Sequence, residues 1–308
     1  MKVFVTGGTG FVGKEVVQQL GQAGHKITML TRSSAPREAG GDAKNANLEV
    51  CEGSILDREK LERGMKGCEA VIHLVGIISE IGETTFENVH VRGTETVVAA
   101  SLAAGVRRFL HMSALGTRPN AVSRYHRTKW VAEEAVRASG LEATLFRPSL
   151  IYGREDHFTT LFASIVRFSP VVPLVGRPDA MMQPICVENV ATAFTGALNE
   201  TDSIGRTFDL CGEEKLTLKQ IVIAIEKALG KRRWKVQIPP PIARLQASVL
   251  EKIYPVLFKQ APPLNRDQLL MLHEDNTGNA EPANQLFRLK SIPFADGLAA
   301  FLSRAKSG

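Results

Sequence analysis

The sequence predicts an α/β fold: a doubly wound parallel sheet with helices on both faces, continued by a smaller, mainly helical C-terminal lobe. Three observations carry that expectation. Short runs of Val, Ile and Leu alternate with longer amphipathic stretches through the first half of the chain, as strands buried on both faces require. The first such run passes directly into a glycine-rich turn and then a helical pattern. Beyond Pro148 the rhythm changes, with Pro170, Pro173, Pro178 and Pro184 close together and helical patterns dominant from Thr217 onward.

Taken in order, residues 1–6 (MKVFVT) read as a buried strand and 11–23 as a helix ended by Gly24. Strands follow at 26–31 and 48–51, and Asp57 is placed to cap a helix reaching Lys66. A fourth strand spans 69–75, a long helix 86–104 stops at Gly105, and a fifth strand covers 107–113. A helix over 123–139, stopped by Gly140, precedes a sixth strand at 142–147. The run Pro239-Pro240-Pro241 leads rigidly into an amphipathic stretch, 242–258, and Pro262-Pro263 into a short helix at 265–273. The expected division is 1–150 for the sheet domain, with later strands returning to it from about 181–212, and 151–308 for an interleaved lobe.

Composition narrows the function classes. With 308 residues and 44% hydrophobic side chains, the chain can bury one large core and a smaller one. The net charge of +6 suits an anionic cofactor or an anionic membrane surface, but it is spread along the sequence. Its dense clusters, Arg107-Arg108 and Lys231-Arg232-Arg233, are short enough to be solvated faces, which argues against nucleic acid as a partner. Cys51, Cys68, Cys186 and Cys211 lie far apart without metal-ligand spacing and read as reduced packing residues, so no metal is expected. A strand beginning at residue 1 leaves no room for a targeting peptide, and no apolar run is long enough to span a bilayer. The expected location is therefore cytoplasmic, with any membrane contact made peripherally at its inner face.

The turn after the first strand reads Thr6-Gly7-Gly8-Thr9-Gly10-Phe11-Val12-Gly13. Gly7 permits the tight turn, Gly10 lets a pyrophosphate approach the backbone, and Gly13 lets the helix pack on the strand. The helix N-terminus then offers free N–H groups to phosphate. This is a Rossmann-type dinucleotide site in its required context. The end of the second strand reads Leu30-Thr31-Arg32-Ser33-Ser34, with no carboxylate for the adenosine ribose hydroxyls. Arg32 is placed to pair with a 2′-phosphate, so NADP(H) is preferred and NAD(H) kept as the alternative.

Three residues carry candidate chemistry. Ser113 ends the fifth strand, where ligands bind in such sheets, and Tyr125 and Lys129 are one helical turn apart on one face. The lysine is expected to lower the phenol's pKa towards the range of a general acid–base, and Ser113 to hold a substrate oxygen.

With these motifs the chain resembles the extended or atypical short-chain dehydrogenase/reductase superfamily. Later segments narrow the likeness: Leu110 to Gly116, Arg147-Pro148-Ser149-Leu150-Ile151-Tyr152-Gly153, Gln183 to Val187, Pro262-Pro263-Leu264, Asp267-Gln268 and Asp275-Asn276. Together they are similar to the bacterial relatives of the NAD(P)-binding accessory subunit of respiratory complex I (alpha-subcomplex subunit nine). The resemblance implies that Gly7, Thr9, Gly10, Phe11 and Val12 contact the pyrophosphate and Arg32 the 2′-phosphate. It also implies that Ser54 and Ile55 flank the adenine and that Leu74, Val75 and Gly76 line the ribose. Tyr125, Lys129, Pro148 and Ile151 would surround the nicotinamide. One departure concerns His90, which stands where many superfamily enzymes carry Asn, three residues before Gly93-Thr94. It reads either as a proton relay or as a packing residue.

Two functions from different classes follow. One is an NADP(H)-dependent oxidoreductase or epimerase-type enzyme acting on a small-molecule or quinone-like substrate. The other is a non-catalytic nucleotide-binding assembly, accessory or sensor protein at a respiratory complex or membrane, which the resemblance implies binds its nucleotide without turnover. Trp234 and the 242–258 stretch fit either a surface-lying helix or a lobe helix packed on its domain.

Overall fold

The computed structural model describes residues 1–32 and 47–304. In chain order the first half comprises β1 (Lys2–Thr6), α1 (Phe11–Gln22), β2 (Lys26–Thr31), β3 (Leu48–Glu52), α2 (Arg58–Met65) and β4 (Ala70–His73). A π-helical segment, Glu87–Arg92, runs into α3 (Gly93–Ala103), followed by β5 (Arg108–Met112), α4 (Arg124–Arg137) and β6 (Glu142–Pro148). Next come β7 (Ile151–Tyr152), α5 (His157–Phe168), β8 (Val171–Leu174), β9 (Met181–Met182), β10 (Ile185–Cys186), α6 (Val187–Ala197) and β11 (Thr207–Leu210). The chain ends with β12 (Leu216–Thr217), α7 (Leu218–Leu229), β13 (Trp234–Gln237), α8 (Pro240–Phe258), α9 (Arg266–Met271), α10 (Glu281–Phe287) and α11 (Phe294–Arg304).

Seven parallel strands form the main sheet in the order β11-β6-β5-β4-β1-β2-β3, so the strand order reverses between β1 and β4. The α/β, doubly wound Rossmann-type expectation holds. Its cause is visible in the side-chain period of two. On β1, Val3 and Val5 join a core with α1 and α6, whereas Phe4 joins the opposite core with α2 and α3. Ile72 and Val71 of β4, and Leu110 and Phe109 of β5, divide in the same way. Only strands coated on both faces need apolar residues at every position. A third core gathers α5, α7, α11 and β8 around Phe162, Val172, Ile221, Ile225 and Leu298.

Three boundaries differ from expectation. β4 ends at His73, not 75, because the Leu74 amide still donates to the Thr6 carbonyl but the chain then turns away beside Gly7. The helix expected over 86–104 begins as a π-helical segment, and Gly93 there admits the Ile55 side chain against its backbone. α8 starts at Pro240, since proline at the first helical position has no amide to waste. All four cysteines are free, and burial pushes each thiol above its usual range. Among the described residues no helix is long and apolar enough to cross a membrane.

At the reversal point, Gly7 adopts φ +77° and packs its Cα against the Leu74–Val75 peptide. A Cβ at Gly13 would collide with the Gly7 carbonyl oxygen and stand 2.6 Å from the Gly8 Cα. Gly13→Ala is therefore expected to destabilise the fold by about 1–3 kcal/mol, read as a lowered denaturant midpoint, because neither colliding group belongs to a flexible side chain.

Candidate functional site

The site is built on the C-terminal ends of β1, β4, β5 and β6. Gly10 is the N-cap of α1 and gives no side-chain cap, and the first turn holds no acidic residue. By contrast, Asp57, Ser123 and Asp156 side chains cap α2, α4 and α5. A Cβ at Gly10 would meet nothing nearer than the Gly7 oxygen at 3.2 Å. The turn thus leaves bare amides and open space at the positive end of a helix dipole, which fits a diphosphate. Thr9 is exposed beside it, and the half-buried Phe11 ring lies against Gly153, where a Cβ would come within 3.0 Å. Lys14 reaches across to Glu155 at 2.5 Å, so the start of α1 and the loop after β7 face each other.

Arg32 follows β2, exposed and without an ion-pair partner among the described residues. Ser33 and Ser34, read together with it, lie outside the described residues. Ser54 is exposed after β3, and its Oγ accepts from the Leu56 amide at 3.2 Å. Val12 and Leu74 are buried, Val75 and Ile151 half-buried and Gly76 exposed, all at strand ends or on α1. Pro148 closes β6, its carbonyl accepting from the Leu115 amide at 2.9 Å.

Ser113 lies one residue beyond β5, buried, with Oγ 3.4 Å from the Thr117 hydroxyl. Lys129 is buried, and its Nζ donates to the Met112 carbonyl at 3.0 Å. A Cβ on Gly76 would sit 3.0 Å from that nitrogen, so glycine keeps the ammonium's approach open. Burial lowers the Lys129 pKa from an ordinary 10.5 to about 8, against the opposing pull of Glu133. The Tyr125 ring packs edge-on against Phe86, His90 and His126, with centroids 6.0, 5.3 and 5.2 Å away. Burial pushes its phenol up to about 12, the reverse of the lowering expected from Lys129. The reason is that Lys129 addresses the Met112 carbonyl, and desolvation is left unopposed at Tyr125. Among the described residues no hydrogen bond joins Ser113, Tyr125 and Lys129 to one another.

His90 is committed to holding its neighbours. Its Nε2 accepts from the Ile77 amide at 3.1 Å, so Nδ1 carries the proton and donates to the Thr128 hydroxyl at 2.9 Å. Burial lowers its pKa to about 2, which keeps the ring neutral. With both nitrogens engaged, it joins the loop after β4 to α4. His73 is held similarly between Thr6 (2.6 Å) and Thr94 (3.1 Å).

Two positioning groups are not legible from the Tyr/Lys spacing. Glu133, one turn beyond Lys129 and fully buried, receives Arg147 at 2.8 and 2.6 Å and Arg137 at 2.6 Å. It locks α4 onto β6, and losing one side of such a pair costs about 3–5 kcal/mol. Asp267, from α9, accepts from the Arg124 amide at 2.8 Å and the Tyr125 amide at 2.9 Å. Its neighbour Asn265 donates to Ile78 O at 3.0 Å and to Ser79 Oγ at 2.6 Å. An Asn265-x-x-Gln268 capping box starts α9, where the sequence after Pro262-Pro263 also predicts a helix. Among the described residues no three His, Cys, Asp or Glu side chains gather to hold a metal ion.

Residues 3–211 match the NAD dependent epimerase/dehydratase family. The chain belongs to that family. The match to the epimerase/dehydratase family begins in β1 and ends one residue past β11. Subunit 9 of the NADH dehydrogenase [ubiquinone] 1 alpha subcomplex from Mus musculus is 30% identical over 87% of this chain and 71% of its own length. A ceramide reductase from Caulobacter vibrioides is 33% identical over 78% of this chain and 74% of its own. UDP-glucuronic acid 4-epimerase from Bacillus cereus, solved with UDP-glucuronic acid and NAD, superposes with a TM-score of 0.73 at 17% identity. That superposition covers 99% of this chain and 100% of the other, and at such identity it shows the fold alone. Membership of an NAD dependent epimerase/dehydratase family supports a nicotinamide cofactor here.

The buried ammonium sets a stability test. Below pH 8, Lys129 is charged in both the folded and the unfolded chain, and folding bears the full cost of its burial. Lys129→Met is expected to stabilise the protein there by on the order of 1–3 kcal/mol. The gain should shrink between pH 8 and 10.5, where only the unfolded lysine holds its proton, and thermal melts across that range measure it.

Proposed function

We propose that the chain binds NADP(H) in preference to NAD(H) and acts as an oxidoreductase- or epimerase-type protein with Tyr125 and Lys129 as its acid–base pair. The carrying observation is the uncapped, acid-free start of α1 together with an exposed Arg32 that follows β2 and has no ion-pair partner among the described residues. In this reading Gly7, Thr9, Gly10, Phe11 and Val12 hold the diphosphate and Arg32 the 2′-phosphate. Ser54 and Ile55 flank the adenine, Leu74, Val75 and Gly76 line the ribose, and Pro148 and Ile151 back the nicotinamide. The bound nicotinamide supplies or accepts the hydride. Ser113 Oγ donates to the substrate oxygen, and the Tyr125 phenol delivers or removes the proton there. The Lys129 ammonium, turned from the Met112 carbonyl to the ribose hydroxyls, stabilises the phenolate by charge and brings the phenol down from about 12.

A second reading is a structural nucleotide clamp on an accessory protein of a respiratory complex, without turnover. It is favoured by the raised Tyr125 phenol and by the similarity to the complex I subunit.

Calorimetric titration should show NADPH binding at least about tenfold tighter than NADH, with Arg32→Ala removing the difference. Equal affinities in the unmodified chain would sink the NADP(H) preference. Turnover is sought with sugar nucleotides, quinones and isoprenoid-like carbonyls, and Tyr125→Phe should then lower the rate by about 100-fold or more. Nucleotide binding with no turnover on any of these supports the clamp instead.

A further inference from the structure

Helix α8 does not use its apolar side for packing. Its buried residues are Ala243 and Ala247, one turn apart and set against Leu269 of α9 with Val175, Ile238 and Leu264. The large side chains point elsewhere: Ile242, Leu245, Val249, Ile253 and Val256 recur at intervals of three and four and lie 45–77% exposed. Leu257 and Phe258 extend the stripe at the helix end, 67% and 57% exposed. A helix of a globular core would turn that stripe inward. The helix does pack on its lobe, but through Ala243 and Ala247 and not through its large apolar side chains.

Arg244, Lys252 and Lys259 lie to one side of the stripe, exposed and without ion-pair partners among the described residues. The helix's one acidic residue, Glu251, is taken up by Arg266, at 2.6 Å to Nε and 2.7 Å to the amide. A second copy docked on this face by two-fold symmetry would set cations against the same cations, with no free carboxylate on α8 to meet them. Residues 33–46 and 305–308 carry no apolar side chain larger than alanine or proline to match the stripe. An apolar stripe running the length of a helix, edged on one side by cations without ion-pair partners among the described residues, matches a layered partner, hydrocarbon inside and negative charge at the surface.

We infer that α8 lies in the interface of an anionic lipid bilayer, with Leu245, Val249, Ile253 and Val256 at the acyl boundary and Arg244, Lys252 and Lys259 among the headgroups. Nothing in this docking depends on nucleotide binding or turnover.

Full-length protein sedimented with vesicles of phosphatidylcholine, alone or with phosphatidylglycerol added, tests it. Cosedimentation is expected with the phosphatidylglycerol vesicles and should weaken as salt rises. Leu245→Glu combined with Val256→Glu, at positions 67% and 77% exposed, should leave the thermal midpoint unchanged. The same double variant should lower partitioning by at least about tenfold. Protein that stays in the supernatant, binds both vesicle types equally, or partitions alike with and without the two glutamates overturns the assignment. So does a concentration-dependent dimer in light scattering that the double variant abolishes, which would give the face to a second copy.

Discussion

The distance at which α1 meets the sheet is set by the contact between the Gly13 Cα and the Gly7 carbonyl, and the rest of the site follows from it. With no Cβ at Gly13, the helix closes on β1 and its first amides face the strand ends. Gly7, held at positive φ, then lies against the Leu74–Val75 peptide, so the turn and the segment leaving β4 share one wall. Val12, Val16, Val17 and Leu20 seal the helix against Val3, Val5, Ile27 and Met29. The energy of the turn comes from this apolar burial, and the glycines only remove what would prevent it.

On the other wall, α4 is fixed at several points, each by a different kind of interaction. A buried carboxylate, Glu133, ties its middle to β6 through Arg147. A hydroxyl, Thr128, ties it to His90 and so to the loop after β4. Its first amides are tied to α9 by Asp267. Such redundancy holds a tyrosine and a lysine steady while the ammonium itself remains in an unfavourable, desolvated position. A lysine that packing alone governed would escape to solvent, as its flexible stem permits.

Most of the sheet was legible in the sequence because both ways of reading it agreed. Strands buried on two faces are continuous apolar runs, and the helices between them stop at glycine or start at a capping side chain, as at Gly24, Gly105, Gly140 and Asp57. The π-helical start at Glu87 was not legible, since a wider helical turn leaves the spacing of apolar residues almost unchanged. Nor was the raised phenol of Tyr125, which depends on Phe86, His90 and His126 closing round the ring from other elements. Asp267 illustrates a third kind of blindness: 143 residues separate it from Arg124, and no local pattern reveals an acceptor for another helix's amides. For α8, amphipathicity was plain, but the side it would bury was not, because two alanines do not stand out beside seven large apolar residues that the fold leaves exposed.

The reach of Asp267 gives the helical lobe a hold on the backbone beneath Tyr125. Anything that lifts α9 away strips the Arg124 and Tyr125 amides of their acceptor, leaving Ser123 as the cap of α4, and loosens the loop that Asn265 pins at Ile78 and Ser79. Docking of α9 and order at the first turn of α4 are therefore coupled through the two amides from which Asp267 accepts. Amide exchange at Arg124 and Tyr125 becomes a built-in gauge of how firmly the two halves of the molecule are seated.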